Sequence, residues 1–114
     1  MKTKTINVKA DFSADPYGRT LKDGPDNGQR FRETILVPAL NENDEVIVDF
    51  EKVLCGPSFL DEAFAGIIRR GYYTKEELLN KLRFRHKLES YHDDYNNMLN
   101  EATYEIDKDT ELSY

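Results

Sequence analysis

The chain has 114 residues, of which 39% are hydrophobic and 33% are charged, and its formal net charge is −6 at pH 7. This length predicts one domain. No apolar run approaches the ~20 residues that a membrane helix needs, and the N-terminal MKTKTINVKADF lacks the apolar core of a signal peptide. Cys55 is the single cysteine, so an internal disulfide is excluded and a cytoplasmic location is expected.

The negative charge is concentrated at the C-terminal end. Residues 89–114 carry eight acidic side chains and one basic one, or −7, whereas residues 1–88 carry 14 acidic and 15 basic side chains, or +1. An acidic segment argues against binding to nucleic-acid phosphates. It is typical of a solvated helix face, or of a segment that meets a basic partner.

Strand and helix patterns alternate in the first half of the chain. The predicted elements are a strand from residue 3 to near Phe12, a loop over 13–28, a helix over 27–40 and a strand over 45–50. Asn27 or Gly28 can cap the helix. Pro38 removes one backbone hydrogen bond, so it is expected to kink or end the helix.

The second half continues the alternation. The predicted elements are a helix over 58–70, a short helix from Thr74, a strand over 82–88 and a helix over 90–106. Gly71 suits the position just past a helix end, and Thr74 with Glu77 has capping-box spacing. Helices between strands require crossover connections. The sequence therefore predicts a small α/β sandwich: a mixed, mostly parallel sheet of about four strands with helices packed on it.

Basic residues alternate with apolar ones in the strand over 82–88. Arg83, Arg85 and Lys87 lie on one face, and Leu82, Phe84, His86 and Leu88 lie on the other. We expect the acidic C-terminal helix to cover this basic stripe, and we expect His86 to be a core histidine.

Ser58 stands at the start of the predicted helix over 58–70 and has two interpretations. With Asp61 three residues later, it resembles a capping box, in which the hydroxyl accepts a hydrogen bond from a first-turn amide. A phosphate on Ser58 would also suit the positive end of a helix dipole and would add up to two negative charges. Both interpretations stay open on the residues alone.

Other groupings suggest weaker sites. The glycine-rich loop before the first helix could bind an anion through Arg19, Lys22, Gly28 and Arg30. Asp61 and Glu62 are adjacent and point about 100° apart on a helix, so they do not form a catalytic carboxylate pair. We expect no catalytic residues, no metal site and no cofactor.

Several stretches together are similar to a known family. They are GRTLKDGPDNGQRFRE, FRETILVPAL, VIVDF and SFLDEAFAGIIRRGYYTKEELLNKL. Over roughly residues 5–88 the chain resembles a family of small bacterial STAS-like proteins of unknown function, related to the STAS domains of anti-sigma factor antagonists. SFLDEAFAG is the most specific of these stretches.

The resemblance implies a regulatory role without catalysis. In the antagonists, a Ser or Thr before this helix is phosphorylated by a kinase-like ATPase partner, and Ser58 is the matching position. Those proteins usually have Asp just before that residue, whereas Pro57 precedes Ser58 here. The resemblance implies docking on such a partner through residues 56–66, with the contact residues Pro57, Ser58, Phe59, Glu62 and Ala65.

Two further expectations concern organisation. We expect a STAS-like domain over residues 1–89, with residues 90–114 forming an acidic helix and a frayed end packed on it. The strand at residues 3–8 could pair with a second copy as a homodimer. The alternative function is an acidic inhibitor whose C-terminal segment occupies a basic site on a partner enzyme.

Overall fold

A computed structural model describes residues 1–105 of the chain. Three strands form one sheet in the order β1-β2-β3, with both neighbouring pairs parallel: β1 (Thr3–Asn7), β2 (Glu45–Asp49) and β3 (Leu82–Arg85). The predicted α/β class is confirmed, but over residues 1–105 the sheet has three strands rather than about four, and both pairs are parallel rather than mixed.

The helices and helical turns between and after the strands have the following bounds. They are α1 (Val8–Asp11), α2 (residues 28–42), α3 (residues 57–69), α4 (Lys75–Lys81) and α5 (Glu89–Glu101). The predicted first strand is shorter than expected because Asn7 accepts a hydrogen bond from the Ala10 amide and caps α1.

The core lies between the helices and one face of the sheet. Both crossovers run from a strand to its next neighbour in the same direction, so right-handed connections place α2 and α3 on the same face. The largest fully buried apolar side chains come from all of these layers: Ile6, Phe31, Leu36, Leu40, Phe50, Phe59, Leu60, Phe64, Ile67, Leu78 and Leu99.

Helix α2 consists of Gly28–Phe31, a π-helical segment Arg32–Leu36 and Val37–Glu42. Asn27 caps it as predicted, accepting a hydrogen bond from the Arg30 amide. Of the two effects predicted for Pro38, a kink or an end of the helix, the second is wrong, because the helix continues to Glu42. Pro38 follows directly after the π-helical segment, where the hydrogen bonds change from i→i+5 to i→i+4, so the missing N–H falls at an already irregular turn.

Helix α3 also contains a π-helical segment, Asp61–Ala65, between Pro57–Leu60 and Gly66–Arg69. It ends as predicted at Gly71, which has a φ of +77°. The amides of Gly71 and Tyr72 donate to the carbonyls of Ile68 and Ile67. These two bonds form a Schellman motif, which satisfies the last carbonyls of the helix.

Helix α5 packs against α3 and the buried face of the sheet. Tyr95 stacks on Phe84 with ring centroids 4.5 Å apart, and Leu99 is buried. The expectation that α5 covers the basic stripe is therefore wrong. Arg83 and Arg85 lie on the opposite face of the sheet, where they pair with Glu45 and Asp49 of β2 at 3.4 and 3.6 Å. The helix predicted over 90–106 is shorter in the structure, where α5 ends at Glu101. The frayed end expected beyond residue 105 lies outside the described residues.

Within residues 1–105, no helix is long and apolar enough to cross a membrane.

Candidate functional site

Ser58 lies in the first turn of α3 but does not cap it. The helix starts at Pro57, its N-cap is Gly56, and no side chain makes a capping hydrogen bond there. The capping interpretation of Ser58 is thus wrong, because Pro57 begins the helix one residue early and places Ser58 inside it. Ser58 is exposed. Its hydroxyl makes no capping hydrogen bond at this helix start.

A cavity of about 300 Å³ opens beside Ser58. It is formed by the α3 start and by the loop before α2, which contributes Tyr17, Arg19 and Asp23. The two segments are about forty residues apart in the chain, and Arg19 connects them by donating from Nη1 to Asp61 Oδ2 at 2.7 Å. The fold therefore places an arginine beside the serine that the sequence singled out.

The carboxylates of Asp61 and Glu62 are held by arginines from three segments. Asp61 also binds Arg69 at 3.1 Å, and Glu62 lies 4.0 Å from Arg19. Burial raises the pKa of Asp61, but hydrogen bonds from Arg19 and Arg69 outweigh it and hold that pKa below its ordinary value. Asp61 is therefore ionised at neutral pH and serves ion pairing rather than helix capping.

Arg32 extends this network into the core. Its side chain is completely buried, with Nη1 2.7 Å from Glu62 Oε2 and Nε 2.7 Å from Glu33 Oε2. Nη1 also donates to the Glu62 carbonyl, while Nη2 is buried without a hydrogen-bond partner. Arg32 was not among the residues predicted from the sequence. The available signal was its spacing, since it lies four residues before the buried Leu36, on the apolar face of α2.

Two predicted partner-binding residues are not on the surface. Phe59 and Ala65 are completely buried, because they face α2 and the core rather than solvent. The docking face predicted from the sequence is therefore wrong at these two residues. Pro57 and Ser58 are exposed, and Glu62 is half-buried in its pair with Arg32; for these three, partner binding stays a prediction.

The predicted anion-binding residues do not converge. Arg30 binds Asp26 at 2.8 Å and lies over the Phe12 ring. Gly28 is buried where α2 meets α3, and a Cβ there would overlap the Phe59 carbonyl oxygen. Its amide donates to the Gly18 carbonyl, so it is not free for an anion. Lys22 is exposed and does not line the cavity. Of the four, Arg19 alone lines the cavity beside Ser58.

Cys55 and His86 are structural residues. Burial raises the pKa of the Cys55 thiol to about 12, so it is protonated and unreactive at neutral pH. His86 is buried as predicted, stacked on Tyr91 with ring centroids 3.8 Å apart, and its Nδ1 accepts a hydrogen bond from the Leu88 amide. In the described part of the chain, no three His, Cys, Asp or Glu side chains could together hold a metal ion.

The parallel sheet and the helices packed on it define an α/β domain. Residues 27–91 match a family described as STAS-like domain of unknown function (DUF4325). The match covers more than half of the chain, so the chain belongs to this family. It includes Ser58, Glu62 and Arg32, whereas Arg19 lies before it. No curated protein and no solved structure matches the chain.

Proposed function

We propose that the protein is a non-catalytic regulatory module that docks on a kinase-like, ATP-binding protein through residues 56–66, and that phosphorylation of Ser58 switches this contact. Membership of a STAS-like family supports the regulatory role at a coarse level. The partner class comes from the resemblance to anti-sigma factor antagonists.

The observation that carries the proposal is the state of Ser58. A serine at the start of a helix usually serves as a cap, but here Gly56 takes the cap position and Ser58 is exposed with no capping bond. A phosphate at this position would add up to two negative charges to an exposed surface, enough to remove or create a protein contact.

The phosphorylation step requires a partner that supplies ATP and a base. Ser58 Oγ attacks the γ-phosphorus of ATP, an O–P bond forms, and the bond from the γ-phosphorus to the bridging oxygen breaks. ADP leaves, and the hydroxyl proton passes to the base of the partner. The module contributes only the hydroxyl, presented on a rigid helix start.

The test is co-purification from extract of the source cell, with tagged wild type, Ser58→Ala and Ser58→Glu compared by mass spectrometry. An ATP-binding protein should co-purify with the wild type and with Ser58→Ala. We expect Ser58→Glu to bind roughly tenfold more weakly, or ~1.4 kcal/mol. Ser90→Glu, which changes an exposed serine of α5, is the matched control and should bind like the wild type.

Equal binding by Ser58→Glu and the wild type would refute the switch. Capture of a nucleic-acid enzyme that salt releases would instead favour the acidic-inhibitor function, because screened charges weaken such a complex.

A further inference from the structure

Arg19 is presented to the cavity beside Ser58 by a loop with a fixed backbone. Gly18 adopts a φ of +79°, and a Cβ there would overlap the Asp23 side chain. Asp23 Oδ2 accepts the amide of Arg19 at 2.8 Å, and the Gln29 amide donates to the Arg19 carbonyl at 3.0 Å. The main chain of Arg19 is thus held on both sides.

The side chain of Arg19 is open to solvent on one side, with 45% of it exposed. Each of the two carboxylates near Arg19 is also paired with another arginine. Asp61 keeps Arg69 at 3.1 Å, and Glu62 keeps Arg32 at 2.7 Å. If Arg19 turned away, neither carboxylate would be left without a cation, so the cost of releasing Arg19 is small.

Ser58 lies on the same side of α3 as the groups that Arg19 now binds. Residues three and four apart on a helix are neighbours, with about 5–6 Å between their Cβ atoms, so Ser58 lies one turn from Asp61 and Glu62. Arg19 reaches Asp61 and lines the same cavity as Ser58, so its guanidinium and a group attached to Ser58 Oγ would share that cavity.

We propose that Arg19 is the receptor for the phosphoryl group on Ser58: on phosphorylation it leaves Asp61 and binds the phosphate within the 300 Å³ cavity. The proposal rests on the proposed function for the source of the phosphate. A guanidinium suits a phosphate because it donates two parallel hydrogen bonds. Asp23 lines the cavity, and the carboxylates of Asp61 and Glu62 lie 2.7 and 4.0 Å from Arg19. Without Arg19 the phosphate would therefore lie near negative charge.

The experiment places phosphoserine at position 58 of the full chain during translation and follows the phosphate ionisation by ³¹P NMR between pH 4 and 8. A free phosphoserine has a second pKa of about 6. An arginine beside it stabilises the dianion, so the pKa should rise on Arg19→Gln, with roughly a threefold increase in proton affinity. Arg19→Lys keeps the charge and should retain part of the effect.

Arg30→Gln is the matched control, since Arg30 binds Asp26 and does not line the cavity; it should leave the phosphate pKa as in the wild type. An equal phosphate pKa in the wild type and Arg19→Gln, both folded by circular dichroism, would overturn the proposal. So would equal shifts for Arg19→Gln and Arg30→Gln. Because phosphoserine is installed without the partner, this result is independent of the co-purification, and failure of one proposal is distinguishable from failure of the other.

Discussion

Arg32 and Gly66 depend on each other across the contact between α2 and α3. The guanidinium of Arg32 occupies the space above Gly66, where a Cβ would overlap it. Elsewhere in a helix, Gly→Ala gains roughly 0.5–1 kcal/mol. Here the gain is opposed by displacement of an arginine that is completely buried and paired with Glu62.

We predict that Gly66→Ala lowers the free energy of unfolding by about 1–3 kcal/mol, the usual cost of overpacking. In an Arg32→Met background the same substitution should become neutral or stabilising, because the overlapping guanidinium is gone. Urea unfolding of the four proteins measures this coupling. Equal effects of Gly66→Ala in both backgrounds would show that the two residues do not interact.

His86 should make stability depend on pH. Burial lowers the pKa of His86 below its ordinary 6.5, and nearby His92 lowers it further, whereas the Val53 carbonyl and Glu51 act the other way. The unfolded chain therefore binds this proton more readily than the folded one. Stability is then complete above about pH 6.5 and falls as the pH drops below that value.

The measurement is the urea midpoint at pH 7.5 and pH 5.5. We expect a lower midpoint at pH 5.5 for the wild type and a smaller difference for His86→Gln. His92→Gln removes the only other histidine and should keep most of the difference. If His86→Gln left the pH dependence unchanged, the pH dependence would come from other groups.

At the scale of elements, the helix starts differ in how they are capped. Thr74 accepts a hydrogen bond from the Glu77 amide, and the Glu77 side chain accepts from the Thr74 amide. The start of α3 has no such bond. These two helices therefore allow a direct comparison between a hydroxyl that caps a helix and a hydroxyl that makes no capping hydrogen bond.

We predict that Thr74→Ala costs about 1 kcal/mol of stability, as for other caps, whereas Ser58→Ala stays within about 0.5 kcal/mol of the wild type, as for ordinary surface changes. Thermal and urea unfolding of both variants would check this. If Ser58→Ala lowered the stability as much as Thr74→Ala does, Ser58 would have a structural role.

Local signals in the sequence predicted the helix ends well. The hydrogen bonds made at these helix ends by Asn27, Gly71 and Thr74 join residues only three or four positions apart. The local sequence was therefore sufficient to predict them. One exception was Ser58, where the proline before it shifted the helix start. The other was the end of α5, which comes at Glu101 rather than at residue 106. The π-helical segments were not predicted, because each spans only five residues within a longer helix, too few to show an apolar period of its own.

At the scale of the whole molecule, the strand–helix order predicted the fold class, because parallel strands need crossovers whatever the packing details. The candidate site was only half predicted. Ser58 stood out by its position, but the loop that lies beside it is joined to α3 by the bond between Arg19 and Asp61, which are 42 residues apart. No local pattern shows which of several loop cations reaches α3. The burial of Arg32 likewise depends on a glycine from another helix.

Two truncated chains should show which part of the acidic C-terminal segment the folded core requires. A chain ending at Ser90 loses Tyr95 and Leu99, both buried, at a cost of several kcal/mol, comparable with the whole stability of a small domain. A chain ending at Glu105 keeps every residue of the described core. We expect the shorter chain to lose its cooperative unfolding transition by circular dichroism and the longer one to keep it.

This outcome bears on the alternative function. Removal of residues 91–114 cannot distinguish an inhibitory tail from a damaged fold, whereas removal of residues 106–114 can. A cooperative transition in the chain ending at Ser90 would mean that α5 is dispensable for the fold. A homodimer through β1 stays a prediction, which light scattering of the full chain would test.

The burial of Cys55 has a practical consequence for chemical labelling. The only thiol of the chain is buried, and its pKa is about 12, so maleimide reagents should leave the native protein unmodified at neutral pH. A cysteine introduced on the polar face of the sheet, as in Thr5→Cys at an exposed position, would then be the single attachment point for a fluorophore. Such a probe would report on binding to a partner while leaving Ser58 and Arg19 untouched.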